Sequence, residues 1–160
     1  MGFVMLEANI MIVNTDTIIK EQNKITDKRI FDFKKQAAKM LGVSRKTFEN
    51  YVIHHVFPVY GGGTSDDLNL VLMKPEKRES IRRFVDRQAM NLGEGETRII
   101  KVPVPAHPMI LNAEDFVSKE KALGGKYVLP ALITKRGVPK WKRAEPSVLA
   151  QQSSVPVFIL

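Results

Sequence analysis

The chain has 160 residues, 44% hydrophobic and 26% charged, a balance that suits one folded domain with extensions and excludes a disordered or fibrous polymer. It has no cysteine, which excludes disulfides, thiolate metal sites and cysteine nucleophiles. The net charge of +8 favours an anionic partner, either nucleic acid or the acidic face of another protein.

The opening stretch, MGFVMLEANIMIVNTDTIIK, is apolar but lacks a basic leader, and Glu7 and Asn9 interrupt it. Neither a signal peptide nor a membrane span is expected there. Its β-branched and apolar residues predict one short strand or an extended arm within residues 1–25. Residues 26–51 read as helical. Thr26 or Asp27 can cap the start, and Ile30, Phe33, Ala37, Met40 and Leu41 fall at helical spacing. Gly42 ends that helix, and Ser44 can cap a second, short one through Tyr51.

The segment IHHVF, from Ile53, is a strand candidate. PVYGGGTSDD follows as a loop, because Pro58 cannot continue a ladder and three glycines adopt positive φ freely. LNLVLM is a second strand. Pro75 suits the first turn of a helix, PEKRESIRRFVDRQAM, in which Ile81, Phe84, Val85 and Ala89 form one apolar stripe. Near residue 91 the composition changes. Residues 96–160 carry most of the prolines, whose spacing resists regular structure. Asn112–Leu123 is the one helix candidate there, and the C-terminal SSVPVFIL is too short to span a membrane. The expected organisation is an arm over 1–25, a domain over 26–90 and a proline-rich basic extension over 91–160.

The central stretch resembles the HNH, or ββα-metal, endonucleases. The resemblance rests on His54-His55, Pro58, Gly61-Gly62-Gly63 and Asn69-Leu70, with Asn69 fourteen residues after His55 and an amphipathic helix behind. It covers roughly residues 53–88 and looks most like small phage-type members. It implies an α+β fold with a ββα-metal hairpin-plus-helix core, a helical lead-in and an extended proline-rich C-terminal region.

The same resemblance implies roles. His55 would be the general base that takes a proton from the attacking water, work that suits a neutral imidazole. Asn69 would hold the loop and orient the His55 ring, and His54 would be a ligand for a divalent metal (Mg, Mn, Ni or Zn). The sequence departs from the pattern on the helix. Where the family places further metal ligands, this chain has Arg78 and Arg82, and a guanidinium cannot bind a cation. Glu76 or Glu79 would have to substitute, with a shifted helix register. Arg78 and Arg82 can instead hold a phosphate, or simply form surface pairs such as Arg82 with Asp86.

Other readings stand beside this one. Neighbouring residues on a strand face opposite ways, so His54 and His55 can be an ordinary inside–outside pair. QAAKMLGVSRKTFENY resembles a helix-turn-helix whose reading helix would begin near Ser44, or a lead-in packed under the hairpin. Lys135, Arg136, Lys140, Lys142 and Arg143 surround Trp141, a pattern suited to phosphate contact with base stacking or to an acidic protein surface. His107 reads as a loop residue. The expectation is a DNA-binding HNH-type endonuclease in the host cytoplasm or a virion. The alternatives are a catalytically inactive HNH-fold protein docked to a protein partner, and a helix-turn-helix regulator.

Overall fold

The computed structural model describes residues 3–112 and two short parallel strands, β5 (Tyr127–Leu129) and β6 (Val157–Ile159). The expected helix over residues 112–123, past its first residue, and the basic cluster around Trp141 lie outside the described residues. The fold is mixed α+β, in the order β1 (Phe3–Met11), α1 (Thr15–Asn23), α2 (Asp27–Leu41), β2 (Val52–His55), β3 (Leu70–Met73), α3 (Pro75–Gln88) and β4 (Thr97–Pro105). No helix among the described residues is long and apolar enough to cross a membrane.

Local chemistry sets the ends of these helices. Asn14 accepts from the Thr17 amide at 2.8 Å to open α1, a helix that the apolar pattern of the N-terminus conceals. Thr26 accepts from the Arg29 amide at 3.1 Å to open α2, and Gly42, at φ 66°, closes it in the left-handed region. Phe33, Ala37 and Ala38 form the buried stripe of α2, while Met40 faces solvent. The expected second helix is a single 3-10 turn, Arg45–Phe48, capped by Ser44, and Phe48 is buried. Four residues of 3-10 turn do not make a helix that could lie in a DNA groove.

β1 and β4 pair antiparallel over nine residues each, from Phe3 with Pro105 to Met11 with Thr97. The proline-rich stretch was expected to resist regular structure, yet Pro103 and Pro105 lie within β4. The reason is edge geometry. Amides alternate sides along a strand, and the Lys101 amide points away from β1 to bond Gln88 Oε1 at 2.7 Å. Pro103 and Pro105, two and four residues on, place their missing N–H on that same outer edge and cost the ladder nothing. The expected arm and the start of the expected extension thus form one ribbon around the hairpin.

β2 and β3 are an antiparallel hairpin, with His54 opposite Val71 and His55 opposite Leu70. α3 follows directly, with Pro75 in its first turn. All four β3 side chains are fully buried because the strand has a core on each face. Val71 and Met73 pack with Ile81, Phe84 and Val85 of α3 and with the ribbon. Leu70 and Leu72 pack with Phe33 and Ala37 of α2, Phe48, Met109 and Ile110. Leu72 also bonds Met109 and Leu111 through its backbone, at 2.7 and 3.0 Å, so the chain after β4 closes the second core.

Candidate functional site

The loop between β2 and β3 is built around Asn69, which is fully buried. Its Oδ1 accepts from the Phe57 amide at 2.9 Å, and its Nδ2 donates to the carbonyls of Phe57 (3.1 Å) and Thr64 (2.7 Å). The glycines allow the loop to fold back on itself. Gly62 sits at φ 100°, and a Cβ on Gly63 would collide with the Phe57 carbonyl. The Asn69 side chain thus clamps both ends of the turn.

The His55 ring is held by Ser65, a residue that sequence reasoning did not single out. His55 Nε2 lies 3.0 Å from Ser65 Oγ, and Ser65 Oγ lies 2.7 Å from the Glu21 carbonyl. A carbonyl can only accept, so the single Ser65 hydroxyl proton goes to Glu21. Ser65 then accepts from His55, which puts the imidazole proton on Nε2 and leaves Nδ1 with its lone pair. Glu21 Oε2 also accepts from the Ser65 amide at 2.8 Å, and Lys24 Nζ sits 2.8 Å from Glu21 Oε1. Burial acts to raise the Glu21 pKa, but the bonds from Lys24 and Ser65 outweigh it and hold the carboxyl below its usual range. No spacing in the sequence linked Glu21 to Ser65, because helix α1 was not read from it.

His54, His55, Arg78 and Arg82 line a single cavity of about 600 Å³ between β2, α1 and α3. His54 is buried and His55 half-buried, and both line this cavity. Both are strongly biased to the neutral form. Burial, then the Arg78 charge, then His55 lower His54 to about 3. Burial and then Arg78 lower His55 to about 4, with Glu21 opposing and Arg29 adding a small push. His54 Nε2 and Arg78 Nε are buried with no hydrogen-bond partner among the described residues. Burial, followed by the neighbouring Arg82, also lowers the Arg78 pKa.

The remaining wall carries Tyr60, which the sequence does not mark, and Asp86, the partner that helical spacing offers to Arg82. Tyr60 donates to Asp86 Oδ1 at 2.8 Å, and Arg82 Nε lies 3.8 Å from Asp86 Oδ2. Burial, reinforced by that bond, raises the Tyr60 pKa, so the phenol stays protonated. Glu76 and Glu79 are exposed on α3 and do not line the cavity. His107 accepts at Nδ1 from the Met109 and Ile110 amides, both at 3.1 Å, and so caps a turn.

The donor set can be tested against a divalent ion. His54 brings one imidazole, and Asp86 already serves Tyr60 and Arg82. No group of three or more histidine, aspartate or glutamate side chains able to hold a metal occurs among the described residues. The Arg78 guanidinium faces the two rings and opposes a cation there. These residues fit an anion better than a metal. No family model matches the chain, and no curated protein or solved structure matches it either.

Proposed function

We propose that the protein is an HNH-type, DNA-binding endonuclease whose ββα-metal-like core takes one phosphodiester between the β2 histidines and the α3 arginines. One observation carries the reading. Residues that the HNH resemblance singles out, His54, His55, Arg78 and Arg82, line one cavity. The unpartnered, buried Arg78 Nε and the net charge of +8 support a negatively charged ligand.

In this mechanism Arg78 and Arg82 bind the phosphate oxygens and carry the charge stabilisation that a metal would supply. The bound phosphodiester offsets the Arg78 charge, which raises the His55 pKa from about 4 toward neutrality and makes the ring a better base. His55 Nδ1 takes a proton from water as the water oxygen bonds phosphorus and the bond to the leaving oxygen breaks. Ser65 fixes the ring through Nε2. Asn69 fixes the loop that carries Ser65.

A second reading is favoured by the burial that lowers His55 to about 4 and leaves the ring a weak base. In it the HNH-type core binds a phosphodiester, or docks a protein partner in a virion or nucleoprotein complex, without cutting. Purified protein on supercoiled plasmid decides between them, with EDTA and separately with Mg²⁺, Mn²⁺, Ni²⁺ or Zn²⁺. The first reading expects nicking in EDTA that falls about a hundredfold or more in His55→Ala. Intact plasmid with wild type and His55→Ala, while both bind it, leaves the second. Cleavage that needs a divalent ion and survives Arg78→Ala contradicts the role given to Arg78.

A further inference from the structure

The cavity joins two chemistries that a duplex backbone does not present together. Its cationic side is Arg78, with its buried Nε, beside the His54 ring. Its other walls are mainly aliphatic, with Ile18 of α1, Ile25 just before α2 and Ile30 within it, and they include the Tyr60 ring, pinned through its hydroxyl to Asp86. The volume, about 600 Å³, lies within the roughly 300–1,000 Å³ range of cavities that enclose small ligands.

In a duplex the bases are stacked away from the surface, and the outside shows phosphate and sugar. An aliphatic wall beside that backbone would meet only charge and water. A nucleotide with its base turned out of the stack carries both chemistries in one residue. Its phosphate meets the arginines, and its flat, weakly polar base covers the aliphatic wall and stacks on an aromatic ring. Helix α1 forms part of that wall and is held against the loop by the Glu21–Ser65 bonds, so the enclosure is built rather than incidental.

We infer that the cleft binds a nucleoside phosphate with its base unstacked, free or within a single strand, in preference to a base-paired duplex. The inference rests on the phosphodiester reading above and narrows it to a substrate class.

Fluorescence anisotropy on the full chain tests it, using a short labelled single strand and the blunt duplex of the same sequence. Deoxyadenosine monophosphate and inorganic phosphate serve as competitors. The expected result is binding of the single strand about tenfold tighter than the duplex, with the monophosphate competing about tenfold better than phosphate. Ile18→Gln should erase that preference, while Ile18→Leu keeps it. Competition by the monophosphate without tight single-strand binding would identify a free nucleotide as the source of the ligand.

Phosphate competing as well as the monophosphate, together with duplex binding as tight as single-strand binding, would overturn the inference. Arg78→Ala separates the two levels. If it weakens all binding while neither preference exists, the phosphodiester reading survives and the nucleotide inference falls. If it changes nothing, the phosphodiester reading fails and the inference fails with it.

Discussion

Asn69 and the two histidines show how much a single side chain decides. Asn69→Ala removes three hydrogen bonds and leaves the Phe57 amide and two carbonyls buried without it. The expected loss is about 3 kcal/mol in urea denaturation, at the upper end for unsatisfied buried groups. The histidines set an acid limb. Their folded pKa values, about 3 for His54 and about 4 for His55, lie below the ordinary 6.5. The unfolded chain therefore binds more protons over that interval. Stability should be full above about pH 6.5 and decline as pH falls toward 4, where His55 protonates, and then 3. Arg78→Ala should make the limb shallower without removing it, because burial, the larger cause, remains. Urea midpoints across that range check both statements, and an unchanged slope in Arg78→Ala would remove Arg78 as a cause.

At the scale of elements, the loop depends on one glycine more than on its neighbours. A Cβ at Gly63 meets backbone, the Phe57 carbonyl, which cannot move without breaking the Asn69 clamp. A Cβ at Gly61 meets the Ile10 Cβ at 2.9 Å, a milder overlap than the one at Gly63, which a small shift of β1 relieves. Gly63→Ala should therefore cost more than about 3 kcal/mol and Gly61→Ala clearly less, as read from thermal melts of the two variants. The elements differ in how openly the sequence states them. α2 is legible from Thr26, Gly42 and its period, and α3 from Pro75 and its stripe. The hairpin is legible from the two apolar runs around the glycines. α1 is not, because its buried partners are absent: none of its residues is fully buried, so no apolar stripe marks it. β4 is hidden by Pro103 and Pro105, which read as breakers until the strand has an edge to put them on.

At the scale of the molecule, the ribbon and the hairpin share a core, so β1 and β4, far apart in sequence, both support the cavity. That long-range pairing of β1 with β4 has no local signal in the sequence. The same holds for the site. The offsets place His54, His55, Asn69, Arg78 and Arg82 on strand, loop and helix. Ser65, Glu21 and Tyr60 join them only through the fold, whereas Asp86 pairs with Arg82 one helical turn away. The central claim is that Arg78 and the histidines form one anion site. It predicts an electrostatic coupling between the bound ligand and the His55 ring. Imidazole resonances followed by NMR, against pH, with and without a short DNA strand, measure it directly. The expected His55 pKa is about 4 in the free protein. With DNA bound it should rise by about one unit or more, and Arg78→Ala should abolish the rise. A His55 titration that DNA leaves unmoved would contradict the account.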